Sequence, residues 1–136
     1  MGKSYRKIAR EKATIGIYQN LCVGSTYEDI LIFLNEEKKL TENPQSMEFS
    51  QWLIKTTLDN KESYQKLIEK YLKKGWTFDR LGQMEKAILL IATCELLESD
   101  IPNKIIVNEA VNNAKTFCDD QSYKFVNGIL AQLCDE

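Results

Sequence analysis

Histidine is absent from this chain of 136 residues. Its absence excludes imidazole acid–base catalysis, Ser/His and Cys/His couples, and the zinc sets that use His. Proline is scarce at two and glycine at six. With no linker, repeat or low-complexity stretch, one domain over residues 1–136 is expected. Long apolar runs are missing too: the longest, residues 87–92, is far too short to cross a bilayer. Residues 3–12 are charged, unlike a signal peptide, so a cytosolic chain without membrane attachment is expected. Cys22, Cys94, Cys118 and Cys134 include no pair at knuckle or redox-motif spacing, which favours buried reduced thiols over a metal site. No Gly-rich cofactor loop follows a strand, and no cofactor is implied.

What is present is helical periodicity almost throughout. The first helix is expected over residues 3–22, stopped by Gly24, with Ser25 or Thr26 capping the second. That second helix should bury Ile30, Leu31, Phe33 and Leu34, before a polar loop over 36–45. The third should bury Phe49, Trp52, Leu53 and Thr56, and break near 59–61. The fourth carries Tyr64, Leu67, Ile68, Tyr71 and Leu72 on one face, with Gly75 as its stop. Apolar residues on more than one side of 84–91 mark the fifth helix as central. The sixth has Val107, Ala110, Val111 and Ala114 inside. The seventh buries Phe125, Val126, Ile129, Leu130 and Leu133. The pattern is an all-α bundle of about seven helices.

Charge is polarised. Lys plus Arg is 18 against 20 acids, for a net −2. Residues 3–12 nevertheless hold Lys3, Arg6, Lys7, Arg10 and Lys12 against Glu11 alone. At about 100° per residue, Lys3, Lys7, Arg10, Thr14 and Tyr18 share one sector, with Arg6 beside it. Cations leading to an aromatic ring suit single-stranded nucleic acid, through phosphate neutralisation and base stacking. A solvated face, with Tyr18 half-buried, is the commoner origin of such a row. Positive charge at a helix N-terminus opposes the macrodipole, a small cost that points towards a use.

The C-terminal half carries specific blocks: Gly82-Gln83-Met84-Glu85-Lys86-Ala87-Ile88-Leu89, Asn108-Glu109-Ala110-Val111, Ala114-Lys115-Thr116-Phe117 and Lys124-Phe125-Val126-Asn127-Gly128-Ile129-Leu130. As residues, Asn108, Glu109, Asn127 and Gly128 read as architecture: partnered polar groups, and a close helix contact at Gly128. Together with Ala9-Arg10-Glu11 and Ile17-Tyr18, these blocks resemble the NusB family of transcription antitermination factors over nearly the whole chain. The resemblance implies two helical subdomains and binding of the single-stranded boxA element of nascent ribosomal RNA. Partners implied are the small-subunit ribosomal protein NusE and, through the pair, an RNA polymerase antitermination complex. It assigns Arg6, Lys7, Arg10 and Tyr18 of the basic helix to RNA, with Lys3 in the same row. It also assigns Phe117, Gln121, Lys124 and Phe125 to RNA, and Glu85 to the protein partner. No residue is assigned to catalysis or to a metal. A homodimer is left open.

This sequence departs from the family pattern in places. Lys7 and Ile8 stand where successive arginines are frequent, and Lys loses bidentate geometry. Gln121 replaces an Asp of some relatives, removing repulsion towards phosphate. Leu90 stands where Arg is common, and Thr93-Cys94 where an aromatic often occurs. The weakened arginine motif motivates a second reading, a helical protein–protein scaffold without sequence-specific RNA binding. An enzyme is disfavoured, because no residues remain for a catalytic domain like those of NusB-fused methyltransferases.

Overall fold

In the computed structural model, which describes residues 2–135 and side chains from Tyr5 on, the periodicity resolves into eight α-helices and one 3₁₀ turn. They are α1 (Gly2–Val23), α2 (Tyr27–Asn35), α3 (Lys38–Thr41), α4 (Pro44–Asp59), α5 (Lys61–Glu69), the 3₁₀ turn Phe78–Arg80, α6 (Gln83–Glu98), α7 (Asn103–Phe117) and α8 (Ser122–Leu133). Two groups form, α1–α4 and α5–α8, and α6 joins them by packing on α1, α4, α5, α7 and α8. Its run Lys86–Glu95 is buried without a break, as its two-sided apolar pattern requires.

The stops are set by local chemistry. Gly24 adopts φ +73° and its N–H donates to the Asn20 carbonyl at 2.9 Å, which closes α1. Thr26 and Asp29 then exchange side-chain and backbone hydrogen bonds of 3.2 and 3.0 Å at the start of α2. Asn43 caps α4 through Ser46 N–H, with Pro44 in the first turn.

Close approach of α1 to its neighbours depends on small residues. A Cβ on Gly16 would lie 2.7 Å from Ile30 Cγ2 and 3.3 Å from Ile54 Cδ1. Ser46 and Ser50 of α4 donate to the carbonyls of Tyr5 and Ala9, so the two backbones meet through hydroxyls rather than bulk.

Several expectations are corrected. The loop over 36–45 contains α3, one turn that buries Leu40 in the core. Helix α5 stops at Glu69, so Tyr71 and Leu72 lie in the irregular segment that follows, where Gly75 adopts φ +90°. Helix α4 is rotated: Ser50, Leu53, Ile54 and Thr57 are buried. Phe49 and Trp52 are half-buried, stacked at 5.9 Å. In α7, Ile106 and Asn113 join Ala110 and Ala114 inside, while Val107 and Val111 sit at the margin.

Candidate nucleic-acid interface

Helix α1 divides its cations between two environments. Lys7 stays outside, its side chain 55 % exposed, with Nζ 3.7 Å from Glu109 Oε2 of α7. Arg6 is half-buried, its guanidinium 5.3 Å from the Tyr5 ring and 5.9 Å from Phe49. Arg10 corrects the expected row. It is 4 % exposed, and its Nε and Nη2 donate to the two oxygens of Glu95 at 2.6 and 2.7 Å. The reason is angular: Arg10 lies about 60° round the helix from Lys7, enough to turn it onto α6. Lys12 is ion-paired to Glu37. The Lys3 side chain lies outside the described residues.

The seam between α1 and α7 sets the geometry of the surface. Lys7 meets Glu109, while Arg10 and Thr14 share a narrow gap with Ile106, Ala110 and Asn113. Both helices pack on α6, and Lys7–Glu109 bridges them at the surface. Tyr18 is 36 % exposed, and Phe117 is half-buried. The Tyr18 hydroxyl is raised above its ordinary pKa, first by its hydrogen bond with Cys22. Phe117 ends α7 and leads into the α7–α8 junction.

At the junction, Asp119 Oδ1 accepts the N–H groups of Gln121 and Ser122 at 3.1 and 3.2 Å, which starts α8. Gln121 and Lys124 are exposed, and Phe125 is half-buried. Lys115 adds a cation 4.8 Å from the Tyr123 ring, a pair that sequence reading passed over. Around the far side of α8, Lys124, Phe125, Gly128, Glu85, Trp76 and Arg80 line a groove of about 560 Å³. Arg80 lies 4.9 Å from the Trp76 ring, which is 47 % exposed. Glu85 is committed internally: Oε1 accepts Gly82 N–H at 3.2 Å and Oε2 accepts the Ser122 hydroxyl at 2.6 Å. It joins the starts of α6 and α8 at the groove wall.

Comparison with known proteins decides the family. The NusB family profile matches residues 7–135. The chain belongs to the NusB family. It is 34 % identical over 131 residues to the transcription antitermination protein NusB of Bacillus mycoides, covering 96 % of this chain and 97 % of that one. It is 42 % identical over 109 residues to the Staphylococcus aureus protein of the same name, covering 79 % and 80 %. Among solved structures, a complex of antitermination factors NusB and NusE with double-stranded RNA superposes with TM-score 0.87. There the identity is 30 %, and coverage is 97 % of both chains. NusB from T. maritima matches with TM-score 0.84 at 29 % identity, covering 96 % and 91 %.

In this NusB-family chain three residues of the motif blocks face solvent, contrary to the architectural role expected of them. Asn108, Asn127 and Gly128 are exposed, and nothing lies within 4 Å of a Cβ built on Gly128. Gly128 leaves room in the groove instead of admitting a neighbouring helix. Glu109 is partnered as expected, by Lys7 of the neighbouring helix α1. Trp76 and Arg80 were missed. Their signal was an aromatic and a cation in the non-helical stretch between Gly75 and Gly82, where no core face calls for either. Cys22 is exposed rather than buried, whereas Cys94, Cys118 and Cys134 are each raised above the ordinary thiol pKa, first by burial, which keeps them as thiols at neutral pH.

Proposed function

We propose that this NusB-family chain is a non-catalytic transcription antitermination factor that binds boxA-type single-stranded RNA. It acts as one domain, jointly with the ribosomal protein NusE, in the cytoplasm. The observation that supports the reading is the Lys7–Glu109 contact, which brings the exposed cation of α1 against α7, the helix that leads to Phe117 and the α7–α8 junction. RNA would lie along a band from α1 across α7 to that junction, with Arg6, Lys7 and Lys124 on phosphates and Tyr18, Phe117 and Phe125 available for stacking. Gln121 presents a neutral amide there. Arg10 enters only by holding α1 in place. The groove beside Glu85, Trp76 and Arg80 is the proposed seat for the protein partner, and it shares Lys124 and Phe125 with the RNA side. One surface would thus serve both partners at its overlap, which suits joint binding.

The scaffold reading draws support from Arg10 and Lys12, because two of the expected cations are used internally. Titration of boxA-like RNA and a scrambled RNA, with and without NusE, separates the two. Tighter binding of the boxA-like strand, lowered by the double variant Arg6→Ala/Lys7→Ala with helicity unchanged, is the expected result. Equal affinity for both RNAs under both conditions would leave the scaffold reading standing.

A further inference from the structure

Asn108 is exposed, and Glu109, paired with Lys7, sits where RNA is proposed to lie. Its Oε2 is 3.7 Å from Lys7 Nζ, with the two side chains 24 % and 55 % exposed. A carboxylate oxygen beside a lysine occupies the place a phosphate oxygen would take, since both offer anionic acceptors to the same ammonium. Lys7 is the most accessible cation of α1 whose side chain is described. It is not free when RNA arrives. We propose that Glu109 is an internal competitor for the RNA backbone, an affinity-setting residue that holds Lys7 until a phosphate displaces it. The inference rests on the RNA-binding reading given above.

The geometry makes this exchange easy. The pair bridges α1 and α7 at the surface, where an ion pair is weak and screened. Lys7 needs only a side-chain rotation to pass from carboxylate to phosphate. The buried Arg10–Glu95 pair a turn away anchors α1 against α6, so losing the Lys7 contact does not release the helix. After the exchange, Glu109 remains beside the RNA as an uncompensated negative charge. That residual repulsion limits the yield of the contact and disfavours strands held by this phosphate alone.

The test is a double-mutant cycle on the full chain, with binding of a boxA-like RNA read by fluorescence anisotropy. Glu109→Gln removes the charge and keeps the shape. It should tighten binding by roughly two- to fivefold, the scale of an exposed ion pair. The same change in a Lys7→Ala background should give a clearly smaller gain, because nothing is left to unmask. An equal gain in both backgrounds would overturn the proposal, reducing Glu109 to a distant repelling charge. Weaker binding by Glu109→Gln would also overturn it and make the pair a structural clamp, and a thermal melt of each variant identifies that outcome. If the parent chain binds neither the boxA-like RNA nor a scrambled one, the RNA-binding reading itself has failed. The Lys7–Glu109 coupling measured by melting alone distinguishes that case.

Discussion

Arg10 and Glu95 illustrate how a single residue's role escapes pattern reading. In the sequence Arg10 belongs to a cationic row; in the fold it is a buried partner of a residue 85 positions away. Neither charge is tolerable inside without the other, so removing one partner is expected to cost about 3–5 kcal/mol. Glu95→Gln should therefore lower the midpoint of a urea transition far more than Lys7→Ala, which breaks an exposed pair. A Glu95→Gln chain as stable as the parent would show that the pair carries no such load. The thiol of Cys94 offers a second residue-scale check. Burial pushes it up to about 11 from 9.0, so the folded chain keeps a proton that the unfolded chain releases. Its contribution is intact below pH 9 and falls as pH rises from 9 towards 11, by about 2–3 kcal/mol in total. Tyr64, also raised chiefly by burial, acts in the same direction at higher pH. Denaturation midpoints across that range should fall, and Cys94→Ala should flatten the fall without abolishing it.

Helices were the most legible feature, because their signals are local. Gly24, Thr26 and Asn43 with Pro44 each mark a boundary through groups within a few residues. What stayed hidden was rotation and termination decided by distant neighbours. Phe49 and Trp52 leave the core because Arg6 and Arg10 of α1 come to the Phe49 face, and Ser46 and Ser50 take the inner positions. Helix α5 ends early although Tyr71 and Leu72 continue its period, since both turn instead towards the groove. Gly128 was misread for the same reason: a helical glycine looks alike from sequence whether it meets a helix or an empty groove. Its surroundings lead to a distinct expectation. With nothing within 4 Å of the added carbon, Gly128→Ala should stabilise the chain by about 0.5–1 kcal/mol through helix propensity. Gly16→Ala, by contrast, should destabilise it, since Ile30 Cγ2 stands 2.7 Å away. Thermal melts of the two variants should move in opposite directions, and a shared direction would refute the packing difference between them.

Over the whole molecule, a net charge of −2 means that attraction to RNA is local to one band rather than spread over the surface. The band's exposed cations are few, because Arg10 and Lys12 are paired with Glu95 and Glu37. Counterion release should follow suit. With Arg6, Lys7 and Lys124 as the main phosphate contacts, log K against log salt for single-stranded RNA should fall with a slope of about −2, since each such contact contributes about −0.7. A basic coat would give a much steeper line. Arg6→Ala/Lys7→Ala should flatten the slope by about 1.4 and weaken every RNA alike. The groove side makes a contrasting expectation. Trp76→Ala removes an aromatic with 47 % exposure, packed on Arg80 rather than in the core, so folding and RNA binding alone should survive it. Binding of NusE should weaken, as aromatic anchors in a groove usually carry more than 1 kcal/mol of an interface. If the RNA and NusE surfaces share Lys124 and Phe125 at the groove as proposed, Lys124→Ala should lower RNA affinity further when NusE is present than when it is absent. Titrations of RNA with and without saturating NusE measure that difference directly. A Lys124→Ala effect unchanged by NusE would separate the two surfaces and remove the physical basis for joint binding.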